Sequence, residues 1–221
     1  MIKPPGIIDN TIELPGRCYA IRMMPHEVDI ADIHDKWDQA YAYAMKLIVD
    51  GNVDEGKEIL EELYRRKYNR AGHTLSYGYG AGWFGEPDPK KYLSLVYALV
   101  LKGYSAAFSD YGFCYDCGIG VKKSMRWALY WYRKAADYDD EAQNILGLCY
   151  EEGLGVLKDY EKAYYWFQLA VKNGAGACAE HNLARCFRLG RGISEDKEMA
   201  NKYEALAVKH GFHKKDKGIV I

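Results

Sequence analysis

The sequence of 221 residues lacks most of the short signatures that carry enzyme chemistry. It has no Gly-x-Ser-x-Gly, and so no nucleophile elbow. It has no His-x-x-x-His or His-Glu-x-x-His, and Walker-type phosphate loops are missing, which removes the common zinc-hydrolase and nucleotide signatures. It lacks an excess of either charge: 30 Lys and Arg stand against 31 Asp and Glu, for a net charge of −1. That balance gives no global field for nucleic acid or an anionic membrane. A long apolar run is also absent. The most apolar helical stretch, Tyr92 to Leu101, is far short of the ~20 residues that a membrane span takes and reads as a buried helix. Pro4, Pro5, Pro15 and Pro25 interrupt the first 25 residues, leaving no unbroken apolar segment for an export signal. The expectation is a soluble cytoplasmic protein.

What is present is a repeat. Gly118-Ile119-Gly120-Val121 returns as Gly153-Leu154-Gly155-Val156, and weakened as Gly190-Arg191-Gly192-Ile193. A period near 35 residues with two helical patterns per period predicts stacked helix pairs in place of one globular core. In the middle copy Ala142, Leu146, Gly147 and Tyr150 mark a first helix. Ala163, Trp166 and Ala170 mark a second, which starts after Asp159 and closes at Asn173-Gly174. The copies around it keep the phase, with Ala107, Gly112, Ala128, Trp131 and Ala135 before, and Ala179, Ala184, Ala200, Tyr203 and Ala207 after. Small residues at mid-helix let two helices approach, and large residues four and seven apart fill the groove beside them. Gly after Asn, Lys or His suits the left-handed end of a second helix.

The run Ala142-Gln143, Leu146-Gly147, Tyr150, Gly153-x-Gly155-Val156, Asp159, Lys162-Ala163, Trp166 and Ala170 resembles the Sel-one-like repeat, a relative of the tetratricopeptide repeat. The resemblance implies an all-α, right-handed α-solenoid of antiparallel helix pairs over 35–211. Its repeats fall at about 71–103, 107–138, 142–174 and 179–211, after a plainer tetratricopeptide-like pair at 38–67, where Ala44 is the close-packing residue. Ser124 departs from the family's usual Asp, and the copy at 179–211 lacks the mid-helix Gly and the Trp. Residues 1–34 read as an irregular N-terminal cap, because repeat arrays need their ends covered. Residues 212–221 read as a C-terminal tail, basic and then apolar.

Cys114, Cys149 and Cys186 recur once per copy and read as small buried apolar residues. Cys114-Tyr115-Asp116-Cys117 is a lone CxxC, for which a metal or redox role stays open. The histidines form no ligand set. No metal, cofactor or catalytic residue is expected. The 20 tyrosines, among them Tyr130, Tyr132, Tyr164 and Tyr165, read as core aromatics with a wet hydroxyl end. Glu151-Glu152 reads as a solvated face, since adjacent helical residues diverge by about 100°.

By the resemblance, function lies on the concave surface of the first helices. The implied groove runs from Tyr41, Met45 and Ile48 through His73, Tyr77, Ser109, Phe113 and Asp116. It continues through Asn144, Leu148, Glu151 and Glu152 to a basic end at His181, Arg185 and Arg188. Phe113 and Leu148 are expected as exposed apolar anchors, and the two arginines as free surface charge. The reading is a protein-interaction module, without enzyme activity, that holds a protein or peptide partner as an adaptor or a toxin-neutralising immunity protein. No nucleic acid or membrane partner is expected; the sequence leaves the oligomeric state open, with a monomer as the expectation. The alternatives are a weak hydrolase-type enzyme and an RNA-binding helical repeat protein. Neutral charge and the Gly-x-Gly-Val loop weigh against RNA.

Overall fold

The computed structural model describes residues 36–212. The cap expected at 1–34 and the tail beyond Phe212 lie outside the described residues. Among those described there are ten α-helices and no strand. By its internal contacts the chain divides into two compact units, with the boundary between Lys122 and Lys123. The first holds α1 (Lys36–Val49), α2 (Val53–Arg65), α3 (Asn69–Ala81), α4 (Pro89–Leu101) and α5 (Ala106–Cys117). The second holds α6 (Met125–Ala135), α7 (Asp140–Glu152), α8 (Tyr160–Asn173), α9 (Gly176–Leu189) and α10 (Lys197–Lys209). In each unit consecutive helices pack on one another, most closely in the pairs α1/α2, α3/α4, α7/α8 and α9/α10. Odd-numbered helices are the first helices of the repeats, even-numbered ones the second.

The second helices α4, α6, α8 and α10 start at one repeat position. Asp88, Ser124, Asp159 and Asp196 are their N-caps, each accepting a bond from a backbone N–H of the first turn. That satisfies donors the helix cannot pair itself. Ser124 thus does the work of the Asp it replaces. Three of these residues also tie back to a first helix: the N–H of Asp88 donates to Tyr79, that of Asp159 to Tyr150, and that of Asp196 to Phe187.

The two loop glycines have different jobs. Gly153 ends α7 in the left-handed region, with φ 74°, and nothing crowds its side-chain position. The second glycine sits against the preceding second helix. A Cβ on Gly120 would meet Leu93 of α4, one on Gly155 would meet Leu129 and Met125 of α6, and one on Gly192 would land on the Tyr160 carbonyl oxygen of α8. Close approach and a positive φ coincide there, which leaves glycine as the one unstrained residue. Gly-x-Gly is therefore a stacking contact between repeats.

The cores follow the repeat pattern. In the second unit Leu148, Ala163, Phe167, Leu183, Cys186, Phe187 and Ala200 form one cluster. Gly147 faces the Phe167 ring, where a Cβ would lie 2.5 Å from ring carbons. In the first unit Tyr41, Ala44, Met45, Ile48, Leu60, Leu63, Ala71 and Leu75 cluster. A Cβ on Gly56 would be 2.7 Å from the Ala44 carbonyl, so this pair closes at Ala44 as its sequence implies. Cys114, Cys149 and Cys186 are fully buried. Among the second-helix tyrosines Tyr132 is buried, but Tyr130 and Tyr165 are exposed and do not serve as core rings. The helix containing Tyr92 to Leu101 buries one face only: Tyr92, Val96 and Leu99 are inside, Tyr97 and Leu101 outside. No helix among the described residues is long and apolar enough to cross a membrane.

A polar seam along the first helices

Within each unit, neighbouring first helices are joined by buried and half-buried hydrogen bonds and ion pairs. In the first unit, Tyr41 of α1 and Thr74 of α3 share a hydroxyl bond at 2.8 Å. His73 Nε2 donates to Asp110 Oδ2 of α5 at 2.6 Å, and the Tyr77 hydroxyl donates to Asp110 Oδ1 at 2.9 Å. The His73 ring lies edge-on to Tyr77 and Tyr104.

In the second unit the seam joins α7 to α9. Asn182 Nδ2 donates to Asn144 Oδ1 at 2.9 Å. Glu151 has no exposed side-chain surface, and two arginines hold it. Arg185 donates from Nε to Oε1 at 3.2 Å and from Nη2 to Oε2. Arg191 donates from Nη1 to Oε1 at 2.8 Å. A buried charge is tolerable only when its partners are this complete. Glu204 of α10 accepts from His181 Nδ1 at 3.1 Å and from Arg188 Nη2 at 3.5 Å.

A second motif repeats at the helix ends. Asn173 Nδ2 donates to Gln143 Oε1 at 3.0 Å, and His210 Nδ1 donates to Glu180 at 2.9 Å. Asn173 and His210 each precede the closing glycine of a second helix, and Gln143 and Glu180 are buried at matched positions of the first helices. The His181 ring stacks on Phe212, with centroids 4.1 Å apart and planes 15° apart. Burial, opposed by Glu204, lowers the pKa of His181 from its ordinary value. Burial also raises the Cys114 thiol and pushes the Cys186 thiol up to about 12, which keeps both protonated and weakly nucleophilic.

The residues expected to line one groove have three fates. Tyr41, Phe113, Asp116, Asn144, Leu148, Glu151 and His181 are buried, as are Met45 and Ile48. His73, Tyr77, Ser109 and Arg185 are half-buried, while Glu152 and Arg188 are exposed. Phe113 and Leu148 are therefore packing residues and not exposed anchors: the groove positions carried over from the resemblance fall on covered sides of α5 and α7. Arg185 and Arg188 are not free charges either, since each is spent on a carboxylate of this chain. Glu151 and Glu152 do diverge, but only Glu152 is solvated. Arg191 was missed. The signal was its place between the loop glycines, where the other copies have Ile119 and Leu154.

Chemically the face offers fixed hydrogen-bond donors and acceptors. His73 is oriented by a carboxylate, as a general base is. Among the described residues, however, no hydroxyl or thiol bonds its ring; the nearby Ser76 hydroxyl donates to the His73 carbonyl at 2.6 Å.

Helix pairs stacked at a fixed period, tied through their first helices, define an all-α helical-repeat solenoid. The Sel1 repeat family model matches three segments of the chain, residues 109–138, 140–174 and 179–212. No curated protein matches it. Among solved structures it is similar to c5321 of uropathogenic Escherichia coli, described as a protective antigen displaying an SLR fold. Identity is 28%, the TM-score is 0.64, and 71% of this chain is covered. The chain spans about a third of that protein, 33% of its length. It is also similar in fold to a Sel1 repeat protein from Oxalobacter formigenes, with 23% identity, a TM-score of 0.68, and coverage of 83% of this chain and 77% of that one.

Proposed function

We propose that the chain is a protein-interaction module that holds a protein or peptide partner on the face of its first helices, as an adaptor or a toxin-neutralising immunity protein does. The observation that carries this reading is the polar seam. In the first unit Asp110 fixes His73 and Tyr77, and in the second Glu151 and Glu204 fix Arg185, Arg191 and Arg188, so the first helices of each unit carry held, partly exposed side chains. Side chains held in place lose little rotamer freedom on binding, and Arg and Tyr are the residue types that anchor protein interfaces. The Sel1 repeats support the reading, since repeat arrays bind through such surfaces.

Site-specific photo-cross-linking in the native host tests it. A benzoylphenylalanine at Glu152 or Arg188 should capture one protein reproducibly, and the same probe at Tyr165 or Lys202 on second helices should not. Cross-links confined to the second-helix positions would refute the reading.

A further inference from the structure

The last repeat arranges its charge in a way that folding alone does not require. One bidentate arginine suffices to neutralise a buried carboxylate. Glu151 has two, and the second comes from a loop position where the two preceding repeats carry Ile119 and Leu154. The negative member of this trio is inside, with 0% exposure, and the positive members face outward, the Arg185 side chain 17% and the Arg191 side chain 32% exposed. Arg188, 44% exposed, stands one turn along α9 from Arg185 and is held from behind by Glu204, itself 17% exposed. Among the described residues nothing accepts from Arg185 Nη1 or from Arg191 Nε and Nη2. The Arg191 guanidinium also lies over the Tyr160 ring at 5.3 Å, which fixes its plane. Glu152 is close enough to act electrostatically on Arg191 but makes no ion pair with it.

We infer that Arg185 and Arg191, clamped from behind by Glu151, form a receptor for side-chain carboxylates of an acidic segment in the protein partner. The inference rests on the first-helix face being the partner surface. Planar guanidinium donors match a carboxylate in bidentate fashion, and here their orientation is set before the partner arrives. Arg188 widens the positive rim. Glu152 is the repulsive element, which disfavours acidic segments that approach from its side.

The test uses the full chain labelled with nitrogen-15 and three probes. These are an N-acetylated, C-amidated hexapeptide of alternating glutamate and leucine, the same peptide with glutamine for glutamate, and inorganic phosphate. The glutamate peptide should shift the Nε–Hε signals of Arg185 and Arg191, and the glutamine peptide should not. Arg191→Gln should weaken binding at least tenfold, and Glu152→Gln should tighten it a few-fold, because the two changes act on one charge balance with opposite sign. In Arg191→Gln the Arg185–Glu151 pair is retained, and the wild-type arginine signals need no variant at all. Unmoved arginine signals at millimolar glutamate peptide would overturn the inference. So would phosphate binding as tightly as the peptide, which would make this a bare anion site. Peptide-induced shifts elsewhere on α7 and α9, with the arginine signals fixed, would remove the receptor while leaving the partner face standing.

Discussion

Replacing Arg185 with Met removes the bidentate partner of a carboxylate that has no exposed surface. Arg191 still bonds Oε1 at 2.8 Å, but Oε2 then has no partner among the described residues. Leaving one oxygen of a charged acceptor unpaired costs about 1.5–3 kcal/mol. For a chain of this length each kcal/mol moves Tm by roughly 2–4 °C, so Arg185→Met should melt about 3–12 °C below wild type. Adding Arg191→Met strips the carboxylate completely, and removing the partners of a buried charge costs about 3–5 kcal/mol. The triple variant with Glu151→Met should recover most of the loss, because an apolar set of similar volume has no desolvated charge to compensate. Thermal melts followed by circular dichroism, with urea titrations beside them, read all three. Equal Tm for wild type and the double variant would refute the reasoning, as would a triple variant as unstable as the double. Were Arg185 the free surface charge that the sequence suggests, its replacement would leave the melt nearly unchanged.

Gly147→Leu should destabilise by at least the ~1–3 kcal/mol of an overpacked core, since even a Cβ there lies 2.5 Å from the Phe167 ring; partial rescue by Phe167→Ala in urea titrations checks the cause. Gly192→Ala should cost clearly more than Gly190→Ala. Both carry the left-handed strain of ~1–2 kcal/mol, but at Gly190 the nearest atom is 3.7 Å away and at Gly192 the Cβ meets unyielding backbone, so equal Tm losses would contradict the stacking role of the second loop glycine. For His181 the folded pKa is depressed, so the unfolded chain takes up the proton first as pH falls through about 6.5. Stability should therefore decline from pH 7.5 toward 5.5, and less steeply in His181→Gln; parallel Tm-versus-pH profiles for the two proteins would sink this prediction.

The parts of the fold legible in the sequence are those set by local backbone chemistry. Gly153 and Gly155 need positive φ, Asp159 must cap, and Ala163 and Gly147 must be small, so each announces itself at its own position. Cys149 is legible as core because it recurs with the period. The seam was not legible, because it depends on pairs separated by a repeat. Glu151 looks no different from Glu152 until Arg185 and Arg191, 34 and 40 positions on, are brought to it. The placing of Phe113 and Leu148 failed for a related reason: the groove positions that the resemblance implies follow the phase of one helix, but the first helices of a stack are covered on more than one side. Arg191 was readable in principle as the charged residue in an otherwise aliphatic loop position. Its partner was not.

The most direct measurement is amide hydrogen exchange on the full chain, with and without the partner captured by cross-linking. The account predicts added protection on the exposed turns of α7 and α9 and in the loop at 190–193, with α8 and α10 unchanged. Protection confined to α8 and α10 would contradict it.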